Sequence, residues 1–396
     1  MNARGAMWFT LSWIMFPAGV ALGWMFIRSE QPAAHGYGLA AATTAGSAIV
    51  LLAPVAMVLA AIAGSRWEHA GWRACDAARG SLAVIADVLW PLAAAGSLAL
   101  FAVLALAGSG LSGVVAVGPS LALLLVGMIL LGFGLGVRLP LRLAAPLSVV
   151  GGYAFFAFPL VVEPTWLRQV TGIWWGCCSI SRTLDSRAAV AVVAVGLGLA
   201  GAGFVMAAWG RVWASLAVAA AGIALGVLVV GKSGPDPSVV RTGDMVCQGM
   251  PGLGEVCVWP EHQGALDGLA AQAPAAVRVA TALSMTVPPT FTEDATKRLG
   301  YFALEPGAPA EMTTYAFVMA LLPDFDDACQ ARVEALPSSD PYDAVDAARA
   351  QLASELGLTR SEIRRLAGAQ AIAESIDVSA VQDAILTCDL ARLTGP

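Results

Sequence analysis

Long apolar runs separated by short polar breaks fill the first 231 residues, and beyond them apolar positions recur only at helix or strand spacing. Crossing a hydrocarbon core about 30 Å thick takes roughly 20 apolar residues. Seven stretches reach that length: Met7–Ile27, Leu39–Gly64, Ser81–Gly108, Gly113–Gly136, Leu141–Val162, Ala188–Trp209 and Val212–Gly231. The first has Arg4 ahead of it, bulky aromatic residues within it and no clear small-x-small cleavage site. It therefore reads as a retained helix rather than a signal peptide. The pattern predicts an all-α polytopic membrane bundle of about seven spans over residues 1–231, a linker over 232–244 and a soluble domain over 245–396.

The soluble domain is expected to be mainly α-helical with one small β-hairpin. Met245–Trp259 supplies the hairpin, with Val246 and Cys247 on one arm, Val256, Cys257 and Val258 on the other, and a turn at Pro251, Gly252 and Gly254. Counting outward from Gly252 sets Cys247 opposite Cys257, which predicts a cross-strand disulfide. Helical spacing follows over Glu261–Leu283, Thr290–Leu299, Thr313–Leu322, Asp326–Leu336, Pro341–Leu356, Thr359–Ile376 and Val378–Leu393. Thr290 with Glu293, and Thr359 with Glu362, have the spacing of capping boxes at helix starts. Cys329 and Cys388 both fall on predicted helices, and a bond between them would staple those helices together.

Charge sharpens the division. Hydrophobic residues make up 58% of the chain and charged residues 13%, against about 45–50% and about 25% in globular proteins. Residues 1–231 carry 11 basic and 6 acidic side chains, whereas residues 232–396 carry 11 basic and 22 acidic ones. The soluble domain thus offers no basic face for phosphates, and no nucleic-acid partner is expected. With the N-terminus inside, Arg4, Arg66, Arg73, Arg79, Arg138, Arg142 and Arg211 lie on the cytoplasmic side. Arg28, Arg168, Arg182, Arg187 and Lys232 lie opposite. That bias follows the positive-inside rule, so the expectation is a multi-pass plasma-membrane protein with a cytoplasmic N-terminus and an extracytoplasmic C-terminal domain. Cysteine placement agrees. Cys75 alone falls inside, and the other six form an even set on the oxidising side.

Two connecting loops stand out. Ser65–Gly80 alternates Trp67 and Trp72 with Arg66, Glu68, Arg73, Asp76 and Arg79. It suits either a topology-setting connector or an interfacial helix that docks a cytoplasmic partner. Glu163–Arg187 contains Trp166, Trp174, Trp175 and the adjacent pair Cys177 and Cys178, and suits a segment dipping into the outer interface. Those two cysteines have either each other or distant cysteines as partners. Asp87 lies near the start of the third span, where a helix-start or snorkelling role is expected. The small residues four apart at Gly132 and Gly136, Gly198 and Ala202, and Gly222 and Gly226 suit close helix packing.

Chemistry is sparse. Gly226–Ser233 spells a full Walker A string, but an apolar span precedes it and Gly234, Pro235, Asp236 and Pro237 follow, where a phosphate-binding loop needs a strand before and a helix after. The soluble domain has a single histidine, His262, and neither a zinc-ligand spacing nor a G-x-S-x-G element. Neither a cofactor, a metal nor a catalytic role is expected.

The layout resembles that of type-2 ABC exporter permeases, with Ser65–Gly80 in the place of their docking helix and Glu163–Arg187 in the place of their external membrane-dipping segment. More narrowly, W-E-H-A at Trp67–Ala70, T-G-x-x-x-x-C-C at Thr171–Cys178, L-D-S-R-A at Leu184–Ala188 and V-C-V-W-P-E-H at Val256–His262 look like a bacterial permease-like group with an uncharacterised external domain. The resemblance implies transport by two such chains, as a homodimer or with a second permease chain, surrounded by membrane lipid and driven by a separate cytoplasmic ATPase. Trp67, Glu68, Trp72 and Arg73 would then carry the docking. A seventh span and the lack of a clear amphipathic helix before the first span depart from that pattern. The competing expectation is a membrane-anchored receptor or assembly factor whose external domain binds a ligand or partner.

Overall fold

A computed structural model describes residues 3–30, 37–69, 81–174, 177–231, 236–250, 254–304, 309–336, 339–367 and 376–393. The chain forms two compact units. The first comprises Met1–Ser179 and Thr183–Val239, and the second comprises Ile180–Arg182 and Val240–Pro396.

The first unit is a helical bundle. Its helices are α1 (Ala3–Glu30), α2 (Gly38–Gly46), α3 (Ile49–His69), α4 (Ser81–Leu106), α5 (Gly110–Arg138), α6 (Leu141–Val161), α7 (Ser186–Trp209) and α8 (Val212–Val230). Six of these are long and apolar enough to cross a membrane, and α1 adds the shorter apolar stretch Ser12–Met25. The second expected span is divided. Ser47 and Ala48 close tight turns onto Thr44 and Ala45, while the Thr43 hydroxyl bonds back to the Leu39 and Ala40 carbonyls at 3.1 Å. Hydroxyls that compete for helix carbonyls in this way favour a break.

Helix α5 lies at the centre, packed against α2, α3, α4 and α7. Small residues set its closest approaches. A Cβ on Gly132 would collide with the Met57 backbone, one on Gly136 with Ala61, and one on Gly64 with Phe133. Gly198 and Gly222 face each other between α7 and α8 in the same manner. At one end of the bundle Arg138 donates to the carbonyls of Met206 at 2.8 Å and Ala207 at 3.0 Å, which caps the last turn of α7.

Strands β1 (Arg182–Leu184) and β2 (Ser238–Val240) form a two-stranded sheet, so regular structure enters the stretch expected to be linker. The second unit contains a three-stranded sheet of β3 (Val246–Met250), β4 (Gly254–Val258) and β5 (Thr290–Thr292) in the order β3-β4-β5. Strands β3 and β4 are antiparallel with Cys247 opposite Cys257, and β5 runs parallel to β4. Around it lie α9 (Leu266–Ala282), α10 (Ala310–Leu321), α11 (Asp327–Glu334), α12 (Asp340–Glu355), α13 (Arg360–Ala367) and α14 (Val378–Thr387). Phe291, Phe302 and Phe317 centre the core, with Phe291 and Phe317 edge-to-face at 5.2 Å.

Two helix expectations change. Thr290–Leu299 starts as strand β5 rather than a helix, because Phe291 is fully buried and pairs with Val256 of β4. Val378–Leu393 is interrupted at Cys388, whose φ of 54° ends α14. Pro274 lies inside α9 without breaking it. Residues 368–375 of the expected Thr359–Ile376 helix lie outside the described residues.

Candidate functional site

A dense polar arrangement forms in the soluble unit where β4 ends. Trp259, Pro260, Glu261 and His262 leave the strand in a single 3₁₀ turn, which points the two aromatic rings toward the end of β5. There Glu293 is completely buried. One of its carboxylate oxygens lies 2.6 Å from His262 Nδ1, and the other accepts the Trp259 backbone N–H at 2.9 Å. Its main-chain carbonyl accepts the Trp259 indole N–H at 3.2 Å, and its own N–H donates to the Cys257 carbonyl. Every polar atom of Glu293 is thereby engaged, as a buried carboxyl group requires.

Arg241 extends the network outward. Its guanidinium sits 4.2 Å from the centre of the Trp259 ring, pairs with Glu261 at 3.0 Å and donates to the Ile180 carbonyl at 3.2 Å. The Ser181 carbonyl accepts the Arg241 backbone N–H, and the Ser181 hydroxyl lies 3.1 Å from the Tyr301 hydroxyl. Ile180 and Ser181, taken from the loop before α7, therefore complete the polar edge of the soluble unit. The W-P-E-H string marks this network in the sequence, yet the spacing of Thr290 and Glu293 predicts a helix cap for its central carboxylate. No chain-local signal joins Glu293 to a histidine 31 positions away.

The arrangement holds structure together rather than exposing reactive groups. His262 and Glu293 are both closed off from solvent. Among the described residues one group of metal-ligand types, Cys247, Glu255 and Cys257, comes together. Its two sulfurs are already joined to each other and so are not thiolate ligands.

The cysteines pair as Cys177–Cys178, Cys247–Cys257 and Cys329–Cys388. The adjacent pair follows a 3₁₀ helix, Thr165–Thr171, that packs against α6, α7 and α8. Gln169, Thr171, Trp174, Cys177 and Cys178 are all buried, so this loop folds into the bundle rather than standing away from it. Trp175 lies outside the described residues, as do Trp72 and Arg73. Trp67 and Glu68 are half-buried on the last turn of α3. The first five residues of the expected interfacial segment thus belong to a long helix, and residues 70–80 lie outside the described residues. The described part of the Walker-like string, Gly226–Gly231, is the end of α8 and its C-cap, a helix where a phosphate-binding loop would need a strand. Asp87 is exposed in the second turn of α4.

Among the described residues of the soluble unit, four groups are shifted from their ordinary pKa values by their surroundings. Glu362 is held low because it accepts the hydroxyl and backbone N–H of Thr359, and Asp377 because it accepts from Ser379 and Ala380. Both sit at helix starts, where a carboxylate is favoured. Burial raises Asp346 and Tyr315, with Arg349 opposing in each case.

Residues 256–384 match a family described as a domain of unknown function, DUF7224. The match starts inside β4 and ends within α14, so it lies wholly in the soluble unit. No curated protein and no solved structure matches the chain. None of these findings bears on the permease resemblance, which rests on the residues quoted above.

Proposed function

We propose that this chain is the membrane-spanning subunit of an ABC-type transporter, an exporter, that works with a separate cytoplasmic ATPase and pairs with a second permease chain. The observation that carries this reading is the loop between α6 and α7. Its 3₁₀ helix and the buried Trp174, Cys177 and Cys178 pack into the bundle, as the membrane-dipping external segment of such a permease would. Polar Gln169 and Thr171 are buried with them. In this reading ATP hydrolysis belongs to the partner, and the bundle supplies the path.

In this reading the soluble unit lies outside the cytoplasm. Three disulfides, two of them inside that unit, support an oxidising compartment. An impermeant thiol reagent applied to intact cells should then modify a cysteine introduced at Asp294 and leave Cys75 untouched. The receptor or assembly-factor reading keeps one observation in its favour, the match of the soluble unit to a domain family of its own.

The deciding experiment replaces Trp67, Glu68 and Trp72 with Ala and recovers the chain by pull-down. Loss of two aromatic anchors, each worth about 2 kcal/mol or more, weakens a docking contact by well over tenfold. ATPase recovery should therefore collapse while the bundle stays monodisperse. Undiminished recovery would remove the docking assignment and favour a passive anchor.

A further inference from the structure

One end of the bundle joins charge, aromatic rings and uncovered apolar surface in a single place. The connector Leu139–Pro140 leads from α5 into α6, and Gly210–Arg211 leads from α7 into α8. Arg138 holds the two together. Besides its bonds to the Met206 and Ala207 carbonyls, its guanidinium lies so close to Gly210 that a Cβ there would come within 2.6 Å. Arg142, four residues past Arg138, and Arg211, next to Gly210, therefore share this end with Trp209 and Trp213. Both arginines are exposed, and their guanidinium groups make no ion pair with any described residue. The chain has no acidic residue between Asp87 and Glu163 or between Asp185 and Asp236. Glu68 and Asp87, the acids on neighbouring helices, already have contacts of their own.

The apolar surface continues from these arginines. Helices α6 and α8, which start here, have only 22% and 17% of their most apolar stretches buried, against 50–61% for the other four long helices. Trp213 is 84% exposed and Trp209 63%. A free phosphate ion would account for the two arginines but not for the rings or the apolar faces below them. A docked soluble protein would not extend along two membrane helices. An amphiphile with a phosphate head and acyl chains accounts for all of them.

We propose that this end of the bundle binds anionic phospholipid, with Arg142 and Arg211 holding the headgroup phosphate, Trp209 and Trp213 at the glycerol level, and the acyl chains along α6 and α8. Guanidinium matches phosphate oxygens with paired N–H donors. Tryptophan favours the depth between headgroup and hydrocarbon, and basic clusters at helix ends select anionic lipid over zwitterionic lipid.

The test uses the full chain extracted from membranes containing equal phosphatidylglycerol and phosphatidylcholine, with the retained lipids counted by mass spectrometry. The wild-type chain should retain phosphatidylglycerol roughly 30-fold over phosphatidylcholine, as two basic contacts at a surface provide. R142Q/R211Q should bring that ratio close to one, whereas R187Q at the start of α7 should leave it unchanged. R142K/R211K keeps the charge without the paired donors and should fall between. Millimolar inorganic phosphate should not displace the lipid. Equal retention of both lipids by the wild-type chain needs no variant to fold and would overturn the proposal. So would an unchanged ratio in R142Q/R211Q, displacement by phosphate alone, or loss of a co-purifying protein from that variant with its lipid ratio intact.

Discussion

In the bundle, helices approach until a glycine faces a neighbour's backbone, as Gly132 does at Met57 and Gly136 at Ala61. In the soluble unit the spacing is set by large side chains, with Phe291, Phe302 and Phe317 at the centre and Glu293 bonded between two aromatic rings. The solvent explains the difference. Lipid tails are as apolar as leucine, so helices gain little by hiding apolar side chains from them, and close backbone packing supplies the attraction instead. Water outside the soluble unit rewards burial of large apolar surface. It also makes each buried polar atom costly unless a partner satisfies it.

The sharpest way to break that contrast is at Glu293. Glu293→Ala removes the partner of His262 and the carboxylate oxygen that accepts the Trp259 backbone N–H, and breaking a buried pair in this way costs about 3–5 kcal/mol. The soluble unit should lose most of its cooperative unfolding transition, followed by the near-ultraviolet signal of Trp259. Glu293→Gln, which keeps an acceptor for the Trp259 N–H, should cost clearly less. A change at Gly136 tests the other half of the comparison. Gly136→Val forces a side chain onto the Ala61 backbone, and overpacking of this kind costs about 1–3 kcal/mol. The detergent-solubilised chain should show a lower midpoint for the bundle with no change in the transition of the soluble unit.

Smaller effects come from the charged ends of the soluble helices. Asp377 accepts from the Ser379 and Ala380 backbone N–H groups at the start of α14, so Asp377→Ala should cost about 1 kcal/mol at neutral pH. Its folded-state pKa is depressed. Its contribution is therefore present above the unfolded carboxylate value and lost as pH falls through the lower folded one, and the variant and wild-type denaturation curves should converge in acid. Asp346 has the opposite sign. Burial raises its pKa, so its ionised form is disfavoured by folding, and stability is lost as pH rises through the folded value. Asp346→Asn should slightly raise the midpoint at pH 7, and the gain should vanish below the ordinary carboxylate range. Because Asp346 stays largely exposed, this is the smallest of the expected changes.

The two T-x-x-E strings show how far local pattern reaches. Thr359 and Glu362 form the expected reciprocal cap, with the Thr359 N–H 2.7 Å from the Glu362 carboxylate. Thr290 and Glu293 have the same spacing, yet the first begins a strand and the second is buried against His262. The strings share their first and last letters and differ between them. Phe291 stands inside the second, and its burial beside Val256 in the sheet outweighs the cap.

The sequence by itself determined what depends on neighbours along the chain. Apolar run length marked the spans, the spacing around Gly252 set Cys247 opposite Cys257, and alternating polar breaks located most of the helices. These signals are local because a span, a hairpin and a helix each satisfy their own backbone bonds. Tertiary structure alone decided the contacts between distant segments. It carried Ile180–Arg182 into the soluble unit and brought Glu293 to His262. Each of these depends on which group meets a buried polar atom or an open carbonyl in space, and residue spacing carries no record of that.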